Sequence, residues 1–155
     1  GQFGKWGRIR LAEGLYYGYR HFDRQHIAPA FCFGHGLSYT DFEYNALTLK
    51  AEKDRAVKVT FTVKNTGKRA GAEIAQVYIA PIASKVDRPD KELKTFSKTE
   101  LAPGRSKKVS LILKKEDFAY FDEHLHDFIA DAGDYEILVG ASCDDIRLRG
   151  IVTLA

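Results

Sequence analysis

From Val57 to Lys64 apolar and polar residues alternate without interruption: Val57, Val59, Phe61 and Val63 against Lys58, Thr60, Thr62 and Lys64. A period of two sends every second side chain to one face, so the segment reads as a strand with one buried and one wet face. A helix would scatter the same residues around its circumference. This pattern, which begins at Phe42, restricts the rest of the chain to partners that can cover a flat apolar face.

The same period recurs further on. Asn65-Thr66-Gly67 supplies turn chemistry, because Asn and Gly tolerate positive φ. Ala75, Val77 and Ile79 continue as a strand until Pro81 removes a ladder donor. The stretch from Ile82 to Lys91 is expected as a polar loop, and Glu92 to Leu101 as a short edge-type strand closed by Ala102-Pro103-Gly104. Val109, Leu111 and Leu113 mark another strand. Lys115 to Phe118 is expected as one helical turn between sheets. Tyr135, Ile137 and Val139 form a strand after Gly133, and Ile146 to Leu154 forms the last. Seven short strands over about 115 residues predict an all-β fold, an antiparallel β-sandwich.

Residues 1–40 differ in kind. They are rich in glycine and aromatics and hold no sustained period. Phe31-Cys32-Phe33-Gly34-His35-Gly36-Leu37-Ser38-Tyr39 is too apolar for a free linker, and is expected to lie flat against a partner surface. The domain division predicted is therefore 1–40 for an irregular aromatic-rich tail and 41–155 for the sandwich.

Composition narrows the function classes. A chain of 155 residues suits one domain, or one domain with a tail. No apolar run approaches the roughly 18 residues of a membrane span, so no membrane partner is expected. The net charge is +3, with Lys107-Lys108 and Lys114-Lys115 interleaved with acids. Nucleic-acid binders gather such residues on one face, so no nucleic-acid partner is expected either. The chain holds no Met and opens at Gly1 without a signal-peptide pattern, which reads as a processed chain or a piece of something longer.

Motifs that could carry chemistry fall short of it. Gly36-Leu37-Ser38-Tyr39-Thr40 approaches a nucleophile elbow, but Thr40 replaces the closing Gly and no helix follows. Gly34-His35-Gly36 lacks the third Gly and the Lys of a phosphate loop. Asp122, His124, His126 and Asp127 sit close together, and on a strand Asp122, His124 and His126 would share a face, but no further ligand completes the shell, and a polar connecting loop is the expectation. No metal and no cofactor are predicted. Cys32 and Cys143 are expected as free buried thiols, with a bridge between them as the alternative. Asp87, Asp90 and Glu92 in the polar loop, and Glu13 and Asp23 in the tail, do not place two acids in one apolar pocket, so no catalytic residue is predicted. Arg20 and Asp23 are expected to pair and hold the tail against a neighbour, a structural role.

An ordered set of motifs resembles one known family. Glu13-Gly14-Leu15, Gly18-Tyr19-Arg20-His21-Phe22-Asp23 and Phe33-Gly34-His35-Gly36-Leu37-Ser38-Tyr39-Thr40 are similar to the C-terminal region of glycoside hydrolase family 3 β-glucosidases. The likeness continues through Val63-Lys64-Asn65-Thr66-Gly67, Gly71-Ala72-Glu73-Ile74-Ala75-Gln76-Val77-Tyr78 and Arg88-Pro89-Asp90-Lys91-Glu92-Leu93. It closes with Leu101-Ala102-Pro103-Gly104, Gly133-Asp134-Tyr135 and Val139-Gly140-Ala141-Ser142. Cys32 departs from it, standing where the family often has Pro, and Cys143 stands where a second Ser is common.

The resemblance implies a fibronectin type III or immunoglobulin-like β-sandwich, preceded by the end of an α/β sandwich domain and a connecting segment. The parent enzymes carry a barrel-like domain with the nucleophile Asp and an α/β domain with the acid/base Glu. No position here matches either motif. The implied role is a non-catalytic scaffold part of a glycosidase that removes terminal β-D-glucosyl residues in carbohydrate catabolism. Its partners would be the catalytic domains of the same parent chain, and the β-glucoside substrate would be bound by that parent. Secretion is the compartment the family leans toward. The residues expected to dock are Tyr19, Arg20, Phe22, Asp23, Phe31, Phe33, His35, Leu37 and Tyr39, together with the rings of Tyr16 and Tyr17. The alternatives are a stand-alone sandwich that binds carbohydrate or protein, or a metal module built on His124 and His126.

Overall fold

A computed structural model describes residues 12–155 in full; among the first eleven it describes only the backbone of Gln2–Phe3 (β1) and Ile9–Arg10 (β2), an antiparallel pair. Then come a two-turn helix α1 (Tyr19–Gln25) and the strands β3 (Phe42–Ala51), β4 (Val57–Asn65), β5 (Gly71–Pro81), β6 (Glu92–Leu101) and β7 (Ser106–Leu113). A single helical turn α2 (Lys115–Phe118) leads to the small hairpin β8 (Tyr120–Asp122) and β9 (Asp127–Ile129). The chain ends with β10 (Gly133–Gly140) and β11 (Ile146–Leu154).

Seven of these strands build the expected sandwich. One sheet has the order β3-β4-β7 and the other β11-β10-β5-β6, with antiparallel pairing throughout. β6 lies at a sheet edge, as its polar pattern implies, though at ten residues it is long. The alternation in β4 comes out as read: Val57, Val59, Phe61 and Val63 are fully buried while Lys58 and Lys64 face solvent. They meet Ala75, Val77 and Ile79 of β5 and Ile137 and Val139 of β10 in one core. Burying a side chain of this size stabilises the fold by about 1.5–3 kcal/mol.

α2 forms where one helical turn was expected. Its Asp117 carboxylate accepts the Lys114 N–H at 2.7 Å, satisfying an end-of-helix donor, and Phe118 plugs the sandwich edge-on to Tyr135 at 5.1 Å.

Two of the central strands do not follow the one-wet-face pattern. In β5 every residue from Ala75 to Ile79 is buried, and in β10 every residue from Ile137 to Gly140. The second face forms its own cluster of Tyr78, Leu138 and Cys143, against which Tyr19, Cys32, Ala80, Leu93 and Ile146 pack. The leading segment is folded onto the outside of the four-stranded sheet.

Candidate docking site

The site is built where residues 16–40 cross that sheet. α1 is shorter than the roughly 12 residues an isolated helix needs in water, so tertiary contacts hold it. Tyr19 stacks on Phe33 with ring centroids 5.0 Å apart, meets Tyr78 edge-on at 6.2 Å, and accepts the Leu93 N–H on its hydroxyl at 3.0 Å. The expected Arg20–Asp23 pair does not form. Each instead reaches across to the sandwich: Arg20 donates to Glu92 at 2.9 Å and Lys91 donates to Asp23 at 2.7 Å. Three positions apart, the two lie on one face of the helix, and that face is turned to the sandwich, where Glu92 and Lys91 at the start of β6 offer little-exposed partners of opposite charge.

The turn that follows is equally well tied. The His35 N–H bonds the Cys32 carbonyl, and the Phe33 carbonyl accepts the Cys143 N–H at 2.9 Å. Gly34 has φ +81°, and a Cβ there would lie 2.2 Å from the Gln76 amide nitrogen. That amide is itself pinned: its nitrogen donates to the Ala141 carbonyl at 2.9 Å, and its oxygen accepts the Tyr78 hydroxyl. Ser38, the centre of the near-elbow, accepts the Thr40 N–H at 3.3 Å within the loop.

The nine sequence-derived residues therefore divide. Tyr19, Arg20 and Asp23 face the sandwich. Phe31 lies beside His35 at 5.4 Å and is 78% exposed, while Leu37 and Tyr39 are 95% and 89% exposed. Phe33 serves both sides, with half of its surface open, and Phe22 is about one-third open, edge-on to His21. Tyr17 is exposed as well, and Tyr16 donates to Asp87 at 2.6 Å.

Sequence reasoning missed the buried polar groups that hold this arrangement. The stretch from Ile82 to Lys91 contains Arg88, whose side chain is 4% exposed; it donates to the Phe118 carbonyl at 3.1 Å and to Glu92 at 3.3 Å, over the ring of Tyr120 at 5.2 Å. Glu92 so gathers Arg20, Arg88 and Lys94. Asn65, fully buried, accepts from Thr40 and the Gly67 N–H and donates to the Arg69 and Leu101 carbonyls. The signal for Gln76 was available: a lone amide on the non-core face of an apolar strand.

Charges near the site are matched rather than poised. Arg147 donates to Asp145 at 2.7 Å and holds its carboxyl below the usual range. Burial raises the Tyr78 and Tyr44 phenols well above their usual value near 10, and pushes the Cys143 thiol up to about 11. Both cysteines are reduced; Cys143 is buried as expected, whereas Cys32 is only half-buried. An open cavity of about 580 Å³ beside α1 is lined by Tyr19, Phe22, Asp23, Phe31, Cys32 and Cys143 among others. The Asp122, His124, His126 and Asp127 cluster is a tight hairpin turn in which Asp122 accepts the His124 and Leu125 N–H groups at 2.8 and 3.0 Å. Among the described residues no helix is long and apolar enough to cross a membrane.

Comparison with known proteins agrees with this architecture. The family model of the fibronectin type III-like domain matches residues 73–143. Thermostable β-glucosidase B of Acetivibrio thermocellus is 45% identical over 145 residues, which make up 92% of this chain and 19% of that protein. A β-glucosidase of Rhizobium radiobacter is 44% identical, over 93% of this chain and 18% of its own length. Among solved structures, the family 3 β-glucosidase of Bifidobacterium adolescentis superimposes with a TM-score of 0.94 at 38% identity, over 97% of this chain and 22% of that one. The β-D-glucoside glucohydrolase of Trichoderma reesei gives 0.92 at 32% identity, over all of this chain and 24% of that one. The chain thus spans about a fifth of the length of these relatives. A sandwich of this topology, preceded by this leading segment, belongs to the fibronectin type III-like C-terminal region of glycoside hydrolase family 3 β-glucosidases.

Proposed function

We propose that the chain is the non-catalytic scaffold part of a β-glucosidase, whose catalytic domains are its partners within one parent chain. The parent would hydrolyse terminal non-reducing β-D-glucosyl residues, with both working carboxylates supplied by its other domains and the glucoside bound there. Residues 1–40 would be the end of the preceding α/β domain and its connection, and residues 41–155 the sandwich. One observation carries the reading: the leading segment is anchored to the sandwich by Tyr19, Arg20 and Asp23 while Phe31, Leu37 and Tyr39 stay open to solvent. Aromatic and aliphatic groups left uncovered together fit a surface that another domain covers.

The test has two arms. The purified 155-residue chain should show no turnover of an aryl β-glucoside, and measurable turnover free of full-length enzyme would overturn the reading. In the parent, Leu37→Ser with Tyr39→Ser should loosen the domain contact and lower the thermal midpoint. A midpoint unchanged by both substitutions would reject docking through this surface. Millimolar or tighter binding of oligosaccharides by the isolated chain would favour the stand-alone binding module instead.

A further inference from the structure

The two cysteines come from the ends of the molecule and meet in one place. Cys143 sits in the turn between β10 and β11, buried against Tyr78 and Leu138, and Cys32 packs on the same cluster from the leading segment. Their main chains are joined, because the Cys143 N–H donates to the carbonyl of Phe33, the residue after Cys32, at 2.9 Å. The bond brings the backbones of Cys32 and Cys143 to neighbouring positions in space, which is what a disulfide, with its Cα separation of about 4.4–6.8 Å, requires. The Cys32 thiol reaches the same turn, donating to the Ser142 hydroxyl at 3.3 Å. Both side chains line the open cavity beside α1, so a small molecule has a path to them.

We propose that Cys32 and Cys143 are a covalent modification site, a thiol pair that closes a disulfide by exchange with a small-molecule disulfide such as oxidised glutathione. Cys32 reacts first, being half-buried while Cys143 is 5% exposed. Its thiolate attacks one glutathione sulfur, the external S–S bond breaks, and one glutathione leaves as a thiol with the proton Cys32 gave up. The Cys143 thiolate then attacks the Cys32 sulfur of the mixed disulfide and expels the second glutathione. In sum two protein thiols and one glutathione disulfide become one protein disulfide and two glutathione thiols. The second step is the slow one, because burial pushes the Cys143 thiol up, to about 11 while Cys32 is still a free thiol, and leaves little of it as thiolate. Asp23 of α1 adds to that rise, and Lys91 opposes it. The product would tie the leading segment to the sandwich across about 110 residues.

The experiment exposes the folded, reduced chain to oxidised glutathione and follows intact mass, free thiols in denaturant, and the peptide map. The result expected is a transient glutathione adduct on Cys32, then a chain two hydrogens lighter with no free thiols and a linked Cys32–Cys143 peptide. Its thermal midpoint should rise by about 10 °C and return on reduction. Cys143→Ser should stop at the adduct. A lasting adduct in the unsubstituted chain, a dimer through Cys32, or two thiols still free after prolonged oxidation would each overturn the proposal.

Discussion

The Thr40 hydroxyl donates to the Asn65 side-chain oxygen at 2.7 Å, joining the end of the leading segment to the turn after β4. Asn65→Ala would remove the partner of four polar groups at once, the Thr40 hydroxyl and the Leu101 carbonyl in buried bonds and the Gly67 N–H and Arg69 carbonyl in part-buried ones. We expect a loss of about 3–4 kcal/mol in urea unfolding. Thr40→Val leaves the Asn65 oxygen with the Gly67 N–H as its donor and should cost about 1 kcal/mol. Equal losses for the two would show that Asn65 is not the hub.

Gly34 and Gly36 look alike in sequence and are not alike in space. At Gly34 a side chain meets both a positive φ and the pinned Gln76 amide, whereas at Gly36 nothing lies within 4 Å. Gly34→Ala should destabilise by about 2–3 kcal/mol and Gly36→Ala by less than about 0.5 kcal/mol. Circular dichroism melts of the two variants side by side decide this, and reversed order would contradict the docked turn.

Glu92 is one carboxylate serving three cations, two of them little exposed. Removing it leaves the Arg88 guanidinium buried without a carboxylate, held by neutral partners such as the Phe118 carbonyl and the Tyr120 ring. Glu92→Ala should therefore cost about 3–5 kcal/mol. Arg20→Ala, which takes away a more exposed partner while Arg88 and Lys94 remain, should cost about 1 kcal/mol. Chemical denaturation of both variants measures the ratio.

Stability should fall in alkali. The Tyr44 and Tyr78 phenols are raised by burial, and Tyr135 likewise, so the unfolded chain releases these protons near pH 10 while the folded chain retains them to higher pH. Their contribution is complete below about pH 10 and lost progressively above it. Cys143, pushed up to about 11, adds loss of the same sign. Thermal midpoints from pH 8 to 12 should be flat and then drop, with phenolate absorbance from these rings rising only with unfolding. A Tyr78→Phe variant should show a shallower drop.

The seven sandwich strands were legible because a period of two records which face is wet, and β4 has one face of each kind. β5 and β10 were legible as strands but not as strands buried twice. Their outward residues, Gln76, Tyr78 and Leu138, carry no mark of what covers them. That cover arrives from residues about 40 to 120 positions away, which no local pattern encodes. α1 escaped notice for a related reason: seven residues hold too few turns for a period, and its ion pairs lie with Lys91 and Glu92 instead of within the helix. Arg88 carries no local sign of burial, because it sits among polar neighbours in the stretch from Ile82 to Lys91, yet the α2 turn and Tyr120 close over it.

The second cluster behind the four-stranded sheet bears on how this unit could be transplanted. Trimming the polypeptide to start at Asp41 would keep all seven sandwich strands, yet strip Tyr19 and Cys32 from Tyr78 and Leu138 and bare an oily stripe on an otherwise intact pair of sheets. Such a trimmed product should clump with its own kind at concentrations where the longer one stays dispersed. The smallest portable module is thus the sandwich plus its preceding wrap, and gene fusions cut between them would carry a sticky back.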